Sequence, residues 1–213
     1  EEPPEKVTFI LLTANASLIP ATVISRCQRL NLSRLKTADI ESLLINRYNT
    51  EPEKARLLAC LSRGSPGWAI EAAQKTAFLQ ERSEKMERVI AIIKSAYSER
   101  FAAAAQMAQQ FGKKREAVYE TLDAWASWWR DILLVKTGCT GDIINIDYRA
   151  TLAEMAGAFS LTQMKNAVRC ILEAVEQLKL NANSRIVFEN LMLSLPTPMG
   201  NRAGKQQTGV IDA

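Results

Sequence analysis

The chain has 213 residues, 47% hydrophobic and 23% charged, the proportions of an ordinary globular protein with length enough for one or two domains. Lys and Arg number 27 against 23 Asp and Glu, a formal net charge of +4. That is too mild to be a nucleic-acid footprint unless it clusters on one face. Histidine is absent, which removes every Ser-His or Cys-His catalytic arrangement, and the four cysteines contain no Cys-x-x-Cys pair of zinc-site spacing. Isolated thiols point to a reducing cytoplasm, and no apolar run approaches the length of a membrane span.

The first element is the run Phe9-Ile10-Leu11-Leu12, which stops abruptly at Thr13-Ala14-Asn15. Four consecutive apolar residues ending in small polar ones predict a strand buried on both faces of a parallel sheet. Thr13 then falls just past the strand's carboxyl end, where functional residues of such sheets sit. Its hydroxyl is placed either to meet a ligand or to hydrogen-bond the next turn. Pro20 opens a short helix that delivers Ser25-Arg26-Cys27 at its far end. On spacing alone Arg26 reads as an exposed arginine favoured by the helix dipole. Gln28–Leu32 is a second predicted strand.

From residue 33 the periodicity turns helical. Thr37 is the expected N-cap of a helix with Asp39 in its first turn and Ile40, Leu43 and Leu44 on one stripe. Thr50-Glu51-Pro52-Glu53 predicts a capping box for a second helix carrying Leu57, Leu58 and Leu61, stopped by Gly64. Ser65-Pro66 restarts a third with Ile70 and Ala73. Later stripes are Met86-Val89-Ile90-Ile93, then Phe101-Ala104-Ala105-Ala108-Phe111, then a long helix with Leu122, Trp125, Trp129, Ile132 and Leu133 ending near Gly138. The Lys113-Lys114-Arg115 run reads as a solvated turn between helices. Ser160-Leu161-Thr162-Gln163 is a second capping box, opening the most regular stripe, Met164 to Leu178. A last helix bears Ile186, Phe188, Leu191, Met192 and Leu195, and a disordered tail is expected from 197 to 213. Trp125 and Trp129 share the core stripe, whereas Trp128, one position around, is the expected inter-subunit contact. Trp68 is expected to pack between the first helical region and the α/β part.

The strand ending at Thr13 followed by Ser25-Arg26-Cys27 resembles the sensor 1 and arginine-finger region of bacterial sliding-clamp loader subunits of the AAA+ superfamily. Two further segments resemble the collar domain of the same family: Trp125-Ala126-Ser127-Trp128-Trp129-Arg130-Asp131-Ile132-Leu133-Leu134, and Leu180-Asn181-Ala182-Asn183-Ser184-Arg185. The resemblance implies a mainly α fold. Residues 1–32 would be the C-terminal remnant of an α/β AAA+ core, 33–78 a three-helix lid, and 79–196 an α-helical collar that oligomerises. It implies a role in DNA replication, with Arg26 as an arginine finger given in trans to a neighbouring ATPase subunit, Ser25 and Cys27 orienting it, and Thr13 at the sensor 1 position.

Departures from the motor pattern bear on activity. No Gly-x-x-x-x-Gly-Lys-Ser/Thr phosphate loop occurs, and the chain opens on Glu1-Glu2-Pro3-Pro4. Both fit a C-terminal fragment that needs no cofactor and is no enzyme by itself. Motor subunits carry an arginine in the Gly-Ser-x-Arg run of the third lid helix, where this chain reads Gly64-Ser65-Pro66-Gly67. That favours a delta prime type over a gamma/tau type, with gamma/tau and delta subunits of the DNA polymerase III clamp loader as partners. Primed DNA and the sliding clamp would be met indirectly. A gamma/tau-type ATPase and a non-enzymatic helical adaptor are the other readings.

Overall fold

The computed structural model describes residues 6–13 and 15–197. The chain divides into two units, residues 1–34 and 35–213. Ten α-helices and no β-strand occur among the described residues.

In the first unit, residues 7–13 form neither strand nor helix. Phe9, Ile10, Leu11 and Leu12 are 72%, 80%, 57% and 90% exposed, and Leu30 and Leu32 of the second predicted strand are 84% and 87% exposed. Both strand expectations are therefore corrected. A strand of this kind gains its stability from ladder partners and from cover on both faces, and neither surrounds these residues. A 3-10 turn at Ala16–Leu18 follows, capped by Asn15, whose Oδ1 accepts from the Ser17 amide at 3.0 Å. The helix α1, Ala21–Ile24, starts after Pro20, as the sequence predicts.

In the second unit α2 (Thr37–Tyr48), α3 (Pro52–Leu61) and α4 (Pro66–Gln74) share one small core. Ile40, Leu44 and Leu58 fill it, and Ala55, Ala59, Ala69 and Ala72 bring the helices close. Two caps differ from expectation. Thr37 is the first helical residue after a Lys36 cap, and α3 is preceded by Glu51 without any side-chain cap, so the Thr50–Glu53 box does not form. Pro52 supplies the start instead: its fixed φ suits N1 and it lacks an amide that would need a partner. Helix α2 ends on Asn49 in the left-handed region (φ 50°), with the Thr50 amide returning to the Leu44 carbonyl at 3.1 Å. Gly64 (φ 88°) ends the turn after α3, and its carbonyl accepts from the Leu35 amide at 3.0 Å.

The larger core belongs to α5 (Phe78–Lys94), α6 (Tyr97–Lys113), α7 (Arg115–Lys136), α8 (Arg149–Ala158), α9 (Leu161–Lys179) and α10 (Ser184–Ser194). Helix α7 is central, packing on α5, α6, α8 and α9, while α10 lies on α6 and α9. Trp129 meets Phe159 edge-on at 5.0 Å and Phe111 meets Phe188 at 6.4 Å. The Lys113–Arg115 run is the α6–α7 turn, as expected. The Ser160–Gln163 capping box is present in both directions.

One further placement differs from the sequence reading. Trp128 is fully buried, its ring edge-on to Tyr148 at 5.6 Å, so it is no surface contact. Each α7 residue turns about 100°, and this helix is wrapped on enough sides to bury Trp125, Trp128 and Trp129 together. Trp68 packs edge-on against Phe78 at 5.2 Å, at the start of α5. Helix α8 and the turns at 140–142 and 146–148 have no counterpart in the sequence reading. The expected tail beyond 197 lies outside the described residues.

Candidate functional site

The residues singled out for chemistry lie around α1. Thr13 closes a local turn: its hydroxyl donates to the Asn15 carbonyl at 3.0 Å and accepts from the Asn15 amide at 3.1 Å. This is the next-turn hydrogen bonding that a hydroxyl at this place can make. Asn15 Oδ1 in turn accepts from the Ser17 hydroxyl at 2.6 Å. The four-residue helix α1 then presents Ser25 and Arg26 together. The Ser25 hydroxyl donates to the Thr22 carbonyl at 3.1 Å, and Arg26 Nη1 donates to the same oxygen at 3.0 Å.

Arg26 is exposed, and among the described residues no carboxylate pairs with it. A guanidinium carries five N–H donors, so one carbonyl leaves most of its capacity directed outward. Cys27, next in the chain, is an exposed free thiol. Ser25 and Arg26 are thus brought together on one carbonyl, while no hydrogen bond among the described residues joins Thr13 to either. Gly67 is the second residue of α4, and a Cβ built there would meet nothing within 4 Å. A larger side chain would be sterically admitted, so its absence is a matter of sequence and not of space.

Two buried charges in α6 and α7 were not singled out by sequence reasoning. Arg100 is fully buried, and its Nη atoms donate to the carbonyls of Leu195 at 2.7 Å, Ile93 at 2.8 Å, Pro196 at 3.1 Å and Met192 at 3.4 Å. These are last-turn carbonyls of α5 and α10 and the residues just past α10, which lack intrahelical donors and carry the negative end of the helix dipole. Burial pulls the Arg100 pKa below the ordinary arginine value. The signal available in the sequence was its register: Arg100 lies four residues before Ala104, on the stripe that continues to Phe111.

Asp131 is also fully buried. Its Oδ2 accepts from the amides of Ile144 (3.0 Å) and Asn145 (2.8 Å) and from Asn145 Nδ2 (2.8 Å), and its Oδ1 pairs with Arg130 at 3.2 Å. The Arg-Asp pair in the Trp125–Leu134 segment therefore anchors the connection between α7 and α8. The Asn-x-Asn run has an equally local cause. Asn181 takes the left-handed conformation (φ 59°) that ends α9, and Asn183 Oδ1 caps α10 through the amides of Arg185 and Ile186 at 3.1 and 3.4 Å.

No metal-binding group of three or more His, Cys, Asp or Glu occurs among the described residues, and none of their helices is long and apolar enough to cross a membrane. Residues 76–197 match the family model of the DNA polymerase III delta subunit, C terminal, and residues 1–36 match that of the DNA polymerase III delta subunit. The chain is similar to DNA polymerase III subunit delta' of Bacillus subtilis (strain 168), 26% identical over 195 residues, 92% of this chain and 58% of that protein. It is similar to subunit tau of the same organism at 22% identity, over 89% of this chain and 37% of that protein. A 78-residue stretch, 36% of this chain and 12% of the relative, is 35% identical to subunit tau of Escherichia coli (strain K12). The chain thus spans 58% or less of the length of these relatives. With the α5–α10 bundle entirely inside the first match, which covers more than half of the chain, the chain belongs to the family of the DNA polymerase III delta subunit, C terminal.

Proposed function

We propose that this chain is part of a delta prime-type subunit of the DNA polymerase III sliding-clamp loader, working in the cytoplasm during DNA replication. In this reading residues 79–196 are the collar that holds it to gamma/tau and delta subunits, 33–78 are the lid, and 1–32 belong to the AAA+ core. Arg26 is the arginine finger for the ATP site of a neighbouring subunit. Phosphoryl transfer spreads negative charge over the transferred group, and a guanidinium held there stabilises the transition state by about 10³–10⁵ in rate. Ser25 and Cys27 flank and orient it, and Thr13 occupies the sensor 1 position. Contact with primed DNA and the clamp runs through the assembled complex.

One observation carries the reading: Arg26 stands exposed at the end of α1, and among the described residues its side chain is steadied by a single backbone carbonyl, which leaves donors for an anion. Gly67 supports a subunit that gives a finger without turning over ATP itself, since the cation of the Gly-Ser-x-Arg pattern is missing. The likeness to tau subunits favours a gamma/tau motor as the second reading. ATP hydrolysis by the full-length protein alone would select it.

The test is Arg26→Ala in the full-length protein, assembled with its motor and delta partners. Turnover at the ATP site facing Arg26 falls by about 10³-fold or more, while the subunits still co-elute in size-exclusion chromatography with light scattering. An unchanged rate in an intact assembly refutes the finger and leaves the helical adaptor. Failure of the parent chain to co-elute refutes the collar.

A further inference from the structure

The α2–α4 layer and the α5–α10 bundle have separate cores, joined by the short connection 75–77. Phe78 and Leu79 at the start of α5 pack on the smaller core, Phe78 meeting Trp68 edge-on at 5.2 Å, and two contacts farther along also tie the two parts. Helix α3 lies against the turn at 146–148, and Arg63, in the α3–α4 turn, pairs with Asp123 of α7 at 3.0 Å. The 144–148 segment is irregular backbone, yet it is held from three directions. Asp131 takes the Ile144 and Asn145 amides and the Asn145 side chain; Ser127 accepts from the same side-chain amide at 3.3 Å. Arg82 of α5 grips Asp147 with both Nη atoms, at 2.5 and 3.2 Å, and donates to Asn145 Oδ1 at 2.6 Å. Tyr148 is hydrogen-bonded to the Ser83 hydroxyl at 3.1 Å, its ring is near-perpendicular to that of Trp128 at 5.6 Å, and the Arg82 guanidinium lies 5.6 Å from its centroid.

This is more anchoring than a loop between α7 and α8 needs for its own closure, and it fixes the surface on which α3 rests. We propose that the 144–148 turn is a seat that sets the angle between the α2–α4 layer and the bundle. Asp131 and Arg82 are its positioning residues, and the Arg63–Asp123 pair is a salt-sensitive second point. With both points made, the layer cannot rock on the Phe78–Leu79 packing beside the 75–77 connection; with either lost, it rocks on that packing and the point that remains. The two points differ in kind. The Asp131 network is buried and insensitive to salt, whereas Arg63 and Asp123 are 37% and 63% exposed and are screened when the Debye length shrinks to about 3 Å at 1 M. The inference is independent of any role for Arg26.

The test uses the whole chain with its four native cysteines replaced by serine and spin labels on cysteines at Arg47 of α2 and Glu173 of α9. Double electron–electron resonance gives a single narrow distance distribution at low salt, broadening at about 1 M salt. Asn145→Ala broadens it at all salt concentrations. Asp123→Arg, on an exposed site that does not threaten the core, broadens it at low salt, and the exchanged pair Arg63→Asp with Asp123→Arg narrows it again. Distributions as narrow in Asn145→Ala and Asp123→Arg as in the parent overturn the proposal. Broadening by Asp123→Arg that the exchanged pair leaves in place overturns the role of the ion pair.

Discussion

Replacing Arg100 with Met keeps most of the buried stem and deletes the guanidinium. Four carbonyls lose a donor, three of them at 3.1 Å or less. An unsatisfied buried acceptor costs about 1–3 kcal/mol, so the three good bonds together set a gross loss of about 3–9 kcal/mol. Against this stands the relief of a cation buried without a carboxylate, several kcal/mol in its own right. The expected net loss is about 3 kcal/mol, or roughly 6–12 °C in Tm for a chain of this size. Arg100→Lys should lose about 2 kcal/mol, because one ammonium cannot reach carbonyls on both sides of a planar fork. Urea unfolding followed by helical circular dichroism at pH 7 measures both, with Arg185→Met, which breaks only an exposed pair with Glu189, as the control expected within about 0.5 kcal/mol. A loss for Arg100→Met no larger than the control's would refute the reasoning. It would mean that the cost of burying the charge cancels everything its hydrogen bonds contribute.

Gly67→Ala should stabilise the chain by about 0.5–1 kcal/mol, since the new Cβ meets nothing within 4 Å and alanine loses less backbone entropy in a helix; a lower urea midpoint would refute this. Ser160→Ala removes the hydroxyl half of the capping box at α9, leaving the residue-160 amide to Gln163 Oε1, and should cost about 1 kcal/mol by the same assay, with Thr50→Ala, whose box does not form, nearly silent. Burial raises the Cys60 thiol above the ordinary value, with the charge of Arg56 opposing it. At pH 8 a thiol reagent should therefore label exposed Cys27 and Cys139 well before Cys60, and the gap should narrow as pH rises. The same shift means that the neutral thiol's contribution to stability is present below the unfolded thiol pKa and fades as pH rises through the folded one. Equal labelling rates at pH 8 would place Cys60 outside the core.

How much was legible follows the range of the interactions. The Ser160–Gln163 box, the Pro66 restart of α4 and the Lys113–Arg115 turn depend on neighbours within a few residues, and all appear where the local pattern puts them. The Thr50–Glu53 box has the same local pattern but is absent, because Pro52 already gives α3 a start that needs no side-chain cap. Trp128 was misplaced because a single apolar stripe describes a helix with one buried face, and α7 is packed on several. The strands at 9–12 and 28–32 fail for the opposite reason: an apolar run announces that it can be covered, not that cover is present. Arg100 and Asp131 bond to carbonyls and amides up to 96 residues away, or across a turn with no periodicity of its own. Register on a buried stripe marked Arg100, and Asp131 stood in the Trp125–Leu134 segment without a role being read from it.

The two arginines show why register and environment have to be read together. Arg100 has its four Nη contacts all to carbonyls inside the fold, held between α6, the end of α5 and the end of α10. Only its buried Nε is left without a partner among the described residues, so its chemistry is spent on the architecture. Among the described residues Arg26 makes one side-chain bond, to the helix that carries it, from a segment whose apolar neighbours are themselves exposed. A cation costs little to keep in water, and that single bond restrains the side chain without neutralising it. The charge of Arg26 is therefore still available to an incoming anion, whereas that of Arg100 is not. The proposed function therefore draws on the first residue, and the stability prediction on the second. If Arg26→Ala lowered the unfolding midpoint as Arg100→Met is expected to, that division would be wrong.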